Sequence, residues 1–519
     1  MCANILPNHS LFFVGFYIFA KILLSESRIM IKSLRNIAVL LLVSVATVFV
    51  SCKSKDVCEL DFPVGAVFVS DWGESASLKF TYRNAESITI GTITGGWKAE
   101  VDKASRTLII TAPDSESAEG AQTVGSIHVV AVAKGGDSEG AIIYGYIVDD
   151  VVDLSANDTQ SNCYVISQPN VKYRFNASVK GNSSESIPTS DVKILWAEDD
   201  EDISYLNLES DGYASFYVGR AKDENGKELA TAPRGNMVLA AYDKAGTILW
   251  SWHLWLVADK DPYAGVELSN GQTIMAFNLG AWENPNGSTV AADIWRGYGL
   301  YYQWGRKDPF LRPEYYDCAM NLDETVYNHS QDYVYVTVKE SNSKTGTIDY
   351  AVKHPMTFLS SNEENQGDWL YNNHRNDLWS ATEKSMYDPC PHGWRVPTKS
   401  TFEVLDISAA DDALSLDVAE KLYGWVLEDK ANGAKSFFHA SGYRNYLTGV
   451  ISNVNYRDEY PYTPKPWIGY YWTSGVGSAA ATSSAMHFDL NTSRATVNGY
   501  KAVTDQKRGN AMQVRCIKE

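Results

Sequence analysis

The sequence predicts a mainly β, multidomain protein on three observations. Short strand-like runs are separated by Gly-rich turns, the aromatic fraction is 12%, and only one clear helix signal occurs in 519 residues. At roughly 150 residues per domain the chain holds about three domains, each long enough for its own core. A hydrophobic fraction of 45% and a charged fraction of 21% are those of a globular protein and exclude a disordered chain. Lys and Arg number 45 against 63 acidic residues, a formal charge of −18. Residues 1–51 carry four basic groups and one acidic group, so the remainder bears −21. That sign repels phosphate backbones and anionic lipid, and no nucleic-acid partner is expected.

Residues 30–52 read MIKSLRNIAVLLLVSVATVFVSC: two basic residues (Lys32, Arg35), a charge-free apolar run of 14 residues at 37–50, Ser51, then Cys52. This is the pattern of a secretory signal peptide, and the run is shorter than the roughly 20 residues of a membrane span. Cysteine after a small residue resembles a bacterial lipobox, although Phe49 departs from the usual leucine. The resemblance implies that Cys52 is the lipidated first residue of an outer-membrane lipoprotein. Ordinary cleavage nearby and free secretion is the alternative. Residues 1–29 hold a second apolar stretch at 11–24, broken by Lys21. They read as lying upstream of the true start at Met30, with a second membrane segment as the alternative. Export permits disulfides. Five cysteines follow Cys52 (Cys58, Cys163, Cys318, Cys390 and Cys516), an odd number with no CxxC spacing, so neither a thioredoxin-type site nor a zinc ribbon is supported.

After a tether at 52–61, residues 62–150 contain SITIGTI at 87–93, TLIITAP at 107–113, SIHVVAVA at 126–133 and AIIYGYIV at 141–148. This spacing predicts a β-sandwich of immunoglobulin size. GGWKAEVDKASRTLIITAP at 95–113 resembles Ig-like modules placed after the lipid anchor of Bacteroidetes surface lipoproteins. A second β-sandwich is expected over 153–260, from NCYVIS, KYRFNASV and DVKILWAE to a hairpin turning at Lys244, Ala245 and Gly246. In its last strand Trp250, Trp252, Leu254 and Leu256 share one face, with His253 and Trp255 on the other, a core or interdomain stripe. AEDDEDIS at 197–204 concentrates carboxylates but lacks the pattern of a calcium loop and reads as solvated. The run at 155–182 resembles a module that recurs ahead of the domain described next.

From residue 263 the texture changes, with nine of the fifteen tryptophans and the one helix signal, VPTKSTFEVL, where Ser400 caps and Glu403 returns the bond. Six pieces stand in order: NLGAW at 278–282, GLYYQWGRKDPF at 299–310, DPCPHGWRVPT at 388–398, SGYRN at 441–445, GYYWTS at 469–474 and VRCIKE at 514–519. Together they resemble the Fibrobacter succinogenes major paralogous domain, common at the C-terminus of Bacteroidetes surface lipoproteins and fimbrillin-like proteins. The resemblance covers about 250 residues and implies an α+β, C-type-lectin-like domain over 263–519, a small scaffold presenting long loops.

Within that domain a Cys390–Cys516 disulfide is expected, stabilising by roughly 2–4 kcal/mol. Trp394, Trp472 and Tyr443 read as core or rim aromatics and Arg395 as an ion-pair partner. Two long insertions, 314–369 and 446–467, are where a ligand surface would lie. The second carries Tyr456, Tyr460, Tyr462 and Trp467, rigid aromatics suited either to contact or to packing down. Histidines occur singly, no Walker loop or HExxH occurs, and the one GxSxG, at 136–140, joins two expected strands, where a nucleophile elbow needs a helix. ENPN at 283–286 only approximates the calcium–sugar loop of lectins and reads as a turn. No cofactor, metal or enzymatic activity is expected. The leading expectation is a surface lipoprotein that binds a glycan or protein ligand, with possible pilus association. The alternatives are a fimbrillin-type or envelope structural subunit and, less favoured, a carbohydrate-active enzyme or accessory.

Overall fold

The computed structural model describes residues 57–199, 201–284, 291–313, 323–407, 424–452, 468–489 and 500–519. Cys52, Cys318, Tyr456, Tyr460, Tyr462 and Trp467 lie outside them. The chain is mainly β, in many small sheets. Among the described residues no helix is long and apolar enough to cross a membrane.

Two compact units are distinguished. Among the described residues the smaller comprises 57–61 with Thr81–Thr89 and Val130–Gly140. In it Glu59–Asp61 pairs antiparallel with Thr81–Arg83, and Arg83 pairs with Glu59. The Asp137 and Glu139 carboxylates accept the Cys58 and Leu60 N–H groups at 2.9 and 3.0 Å, satisfying a ribbon too short to pair fully.

The larger unit holds everything else. In its first module Ser75–Lys79, Thr107–Thr111 and Lys98–Asp102 form a three-stranded antiparallel sheet. In a second sheet of this module Ala66–Val69 runs parallel to Tyr144–Ile147. Alternate residues point inward, and Leu108, Ile110, Ile127 and Val129 are fully buried. Trp97 pins the sandwich: its indole N–H donates to Gln122 O at 3.2 Å, and the ring lies where a Cβ at Gly125 or Gly145 would stand. Gly125 and Gly145, on neighbouring strands of one sheet, leave the space into which the one large ring fits.

The second module stacks a four-stranded sheet (Asp150–Asp153, Val171–Asn176, Tyr213–Val218, Ser204–Leu208) on a six-stranded one. The latter runs Cys163–Ile166, Ile248–Val257, Arg234–Tyr242, Asp191–Ala197, and then Val326–Tyr327 and Tyr333–Val334, so a hairpin from beyond residue 263 extends this module's edge. The expected hairpin turn is present: Asp243 Oδ1 accepts the Ala245 and Thr247 N–H groups at 2.8 Å, and Gly246 takes φ +80°. Along Ile248–Val257 the expected parity holds. Trp250, Trp252, Leu254 and Leu256 enter the sandwich core, while Trp255 and Val257 enter a core shared with the C-terminal region.

That region is built of short sheets knitted by its last residues. Ile517–Lys518 lies between Thr273–Ile274 and Trp394–Arg395. Ala511–Met512 lies between Tyr302–Gln303 and Tyr443–Arg444. Three hairpin strands, Ile468–Val476, Thr482–Asp489 and Lys501–Lys507, complete one side. The expected helix exists as Lys399–Glu403, but its cap differs from the expected one. Thr398, extended after Pro397, is the N-cap, and Thr401 Oγ1 accepts the Thr398 N–H at 3.1 Å, so Ser400 sits inside the first turn. Two further six-residue helices, Ala291–Arg296 and Ile348–Lys353, carried no strong signal, the second capped by Thr347 Oγ1 accepting from Tyr350 N–H at 3.1 Å. The first insertion is scaffold where described: Thr337–Glu340 pairs parallel with Thr357–Ser360, and Phe358, Leu359 and Trp369 are buried.

Two stability outcomes follow from this packing. Residues 263–519 produced without 153–260 lose Cys163, Trp196, Val238, Trp255 and Val257 from their core, each large apolar side chain worth roughly 1.5–3 kcal/mol of burial. Denaturant titration of that fragment will show no cooperative transition, whereas residues 153–519 will unfold as one. Gly125→Ala drives a methyl into the Trp97 ring and will cost about 1–3 kcal/mol in urea unfolding.

Candidate functional site

The six C-terminal segments meet one another. Asn278 Oδ1 accepts from Arg515 Nε at 2.8 Å, joining the first segment to the last. The Trp304 indole donates to Thr473 O at 2.9 Å and the Trp472 indole to Tyr302 O at 2.8 Å, joining the second to the fifth. Gln303 donates to Leu359 O and Gly509 O at 3.0 and 2.8 Å. The buried Arg306 guanidinium donates to Thr357 O at 2.8 Å and reaches the Ala351, His354 and Pro355 carbonyls at the C-terminal end of helix Ile348–Lys353, the end that favours a cation. Lys307 donates to Ser251 O at 3.0 Å and pairs with Asp308, docking this segment on the outer face of Ile248–Val257. Arg444 Nη2 binds Leu311 O and Asp323 Oδ1, each at 2.6 Å.

In the third segment Asp388 is fully buried. Its carboxylate accepts from the Cys390 and Val396 N–H groups at 2.9 Å and from Lys384 at 2.8 Å. Asn162 and Asn182 of the second module donate to Asp388 O at 2.9 Å, so the loop is clamped from outside. Cys390 and Cys516 are disulfide-bonded across 126 residues, with Cα atoms 6.1 Å apart. Trp394 and Trp472 are buried and Tyr443 is half-buried. Arg395 departs from its expected role: its Nη1 is buried without a hydrogen-bond partner, and no ion pair forms among the described residues. The surroundings of this two-residue strand are set by backbone pairing with Ile517 rather than by a carboxylate.

The arrangement nearest to a catalytic constellation lies elsewhere. Cys163 Sγ is 3.4 Å from His253 Nδ1, and His253 Nε2 is 2.9 Å from Asn236 Oδ1, the geometry of a thiol–imidazole–amide triad. Cys163 is 1% and His253 2% exposed. Burial pushes the thiol well up and the imidazole down to about 3, the reverse of the thiolate–imidazolium pair that such chemistry needs. The string continues inward: Asn236 donates to Glu198 Oε1 at 2.6 Å, Trp282 donates to Glu198 Oε2 at 2.9 Å, and the fully buried Arg312 contacts both Glu198 at 2.9 Å and Glu324 at 3.1 Å. Arg312 is flanked by Trp295 and Trp282 at 3.9 and 4.8 Å. Glu198 therefore corrects the solvated reading of 197–204. Asp199 and Glu201 are exposed, but the Glu198 side chain is turned inward by its buried cation.

In the approximate lectin loop Glu283 lies 3.6 Å from Arg296, and Asn284 donates to Ala276 O at 2.9 Å; Pro285 and Asn286 are outside the described residues. Among the described residues no group of three or more His, Cys, Asp or Glu could hold a metal. Ser138 opens the strand Ser138–Ile147. A feature absent from the sequence reading is a cleft of about 900 Å³ between the first and second modules, walled by Trp72 and Arg220 among others. Its signal was the dense charge of GRAKDENGK at 219–227, indistinguishable in one dimension from a solvated turn.

No family model matches the chain, and no curated protein matches it. Similarity to solved structures is slight. The D00-D0 domain of intimin shares 10% identity over 38% of this chain and 96% of its own, with a TM-score of 0.15. The insect immune protein hemolin shares 12% over 41% and 54%, at 0.13. SGBP-B of the Bacteroides ovatus mixed-linkage glucan utilization locus, solved with a mixed-linkage heptasaccharide, shares 13% over 43% and 47%, at 0.12. Scores this low carry no argument about fold or function.

Two measurements test the sealed string. Iodoacetamide will leave Cys163 unmodified in the native protein and label it only on unfolding. His253 and His487, lowered to about 3 and about 4 by burial, bind protons in the unfolded chain first. Stability will therefore fall as pH drops from about 6.5 towards 4, by up to about 1.4 kcal/mol per pH unit per histidine. His253→Gln will reduce that slope in chemical denaturation at stepped pH.

Proposed function

We propose that the protein is a non-catalytic cell-surface lipoprotein, held to the outer membrane through Cys52, which captures a glycan or protein ligand. In this reading β-sandwich modules carry a lectin-like C-terminal domain of the Fibrobacter succinogenes major paralogous family. The observation that carries the reading is the inward commitment of the six motif segments. Their Arg, Lys, Asp, Gln and Trp groups bind backbone carbonyls, amides and one another, so they act as a rigid frame. A frame of that kind leaves recognition to the loops and clefts it positions. In this reading Tyr456, Tyr460, Tyr462 and Trp467, which lie outside the described residues, would supply aromatic contact at low entropy cost. The buried pKa pattern at Cys163 and His253 supports the non-catalytic part.

Because the second module and the C-terminal region share a core, the test uses the whole chain from residue 53. On a broad glycan array, with calcium and with a chelator, the expected outcome is binding to a defined subset of glycans that survives the chelator. Binding lost with the chelator would make the site metal-assisted. No glycan or protein ligand in either condition, with concentration-dependent polymers in sedimentation, would establish the structural-subunit reading instead.

A further inference from the structure

The cleft between the first two modules has walls of fixed geometry. Trp72 and the 116–124 segment form one side, and Asp199, Glu201, Asp202, Ser204 and residues 219–234 form the other. An aromatic joint holds the sides together: Tyr146 meets Tyr217 with ring centroids 4.6 Å apart, Phe68 stacks on Tyr146 at 5.1 Å, and Tyr205 meets Phe68 edge-on at 5.6 Å. Tyr217 is both a member of this joint and a wall of the cleft, and its hydroxyl donates to Asn170 Oδ1 at 3.1 Å. On the opposite wall the Trp97 indole fixes the Gln122 carbonyl. The cleft is thus preformed, and its volume of about 900 Å³ lies near the upper end of the range for small-molecule sites.

Its lining has a distinctive charge balance. Among the described lining residues there are five carboxylates and four cations, on a chain of net charge −18. Glu116 and Arg220 pair at 3.3 Å across the two walls, and the Arg220 Nε is buried without a hydrogen-bond partner. Trp72 is half-buried at the rim. A polyanion would face the carboxylates and a polycation the guanidinium and ammonium groups, whereas a hydroxyl both donates and accepts and is served by each. The Trp72 indole supplies the flat apolar face that the C–H side of a pyranose ring can cover.

We propose that this cleft is a binding site for a neutral oligosaccharide, distinct from the Tyr-rich segment at 453–467. The proposal rests on the ligand-capture reading and assigns it a site and a ligand class. Trp72 is the stacking platform, and Arg220, held by Glu116, is the main donor to ring hydroxyls.

The test is isothermal titration of the whole chain from residue 53 with cello-, xylo- and malto-hexaose, and with a sulfated oligosaccharide of matched length. The expected result is binding of at least one neutral hexaose with affinity little changed between 50 and 500 mM salt. Trp72→Ala and Arg220→Gln should each weaken it at least tenfold while the unfolding midpoint stays within a few degrees of the parent. In hydrogen exchange the same hexaose should protect 116–124 and 219–234. Preference for the sulfated ligand would overturn the ligand class. Undiminished binding in both variants, lost on replacing the four loop aromatics by alanine, would overturn the cleft and leave ligand capture standing. Failure of every hexaose to bind or to protect the cleft would overturn the proposal outright. Protein ligands found separately would still decide the broader reading.

Discussion

The strand Ile248–Val257 is buried on both faces, and the architecture after residue 150 depends on that constraint. An antiparallel strand with one wet face alternates apolar and polar residues, but this one places tryptophan on both sides. Trp252 fills a sandwich whose other sheet carries Phe175, with ring centroids 5.0 Å apart. Trp255, on the opposite face, sets its ring perpendicular to Phe277 at 5.6 Å and donates its N–H to Ala281 O at 2.8 Å. A sandwich core and a loop-rich domain are thereby packed against the two sides of one β-strand. Asn162, Asn182, Ser251 and the Val326–Tyr327 hairpin are further points at which the two parts are joined.

Polar groups at this seam behave as hydrophobic residues do in an ordinary core, in that their value depends on complete satisfaction. The Cys163–His253–Asn236–Glu198–Arg312 string crosses it through direct side-chain contacts. Removing one member would leave a neighbouring donor or acceptor buried and unpaired. The same atoms that would make a nucleophile in an open site make an inert crosspiece here, because burial, not residue identity, decides which protonation states are accessible.

Much of the β-structure was legible in the sequence for local reasons. SITIGTI, TLIIT and the strand at 248–257 announce themselves through β-branched and aromatic residues in period two, and the hairpin at Asp243 through its turn chemistry. Most of the misreadings come from a distant partner. Glu198 is surrounded in sequence by carboxylates that do face water, and partners distant in sequence, Asn236, Trp282 and Arg312, draw it inward. Thr398 rather than Ser400 caps its helix because Pro397 holds the preceding turn extended and Gln272 Nε2 donates to the Thr398 hydroxyl at 2.9 Å. The cleft wall at 219–234 is charged enough to pass for an exposed turn, since a concavity exists only once two modules are apposed. The helices Ala291–Arg296 and Ile348–Lys353 are too short for a periodic pattern to register.

The position of residues 511–518 has a consequence for the order of events during folding. Ala511–Met512 and Ile517–Lys518 are interior strands of two sheets, flanked by segments from more than 200 residues earlier. Until they arrive, Thr273–Ile274 and Trp394–Arg395 have no common partner, and Tyr302–Gln303 is an open edge. The C-terminal region therefore closes in a single late step with a large loop-entropy cost, while the first sandwich, whose longest pairing joins Ala66–Val69 to Tyr144–Ile147, can form well before. A chain emerging N-terminus first would present a finished first sandwich and an unfinished C-terminal region, with unpaired edges most in need of a chaperone until the last strand docks.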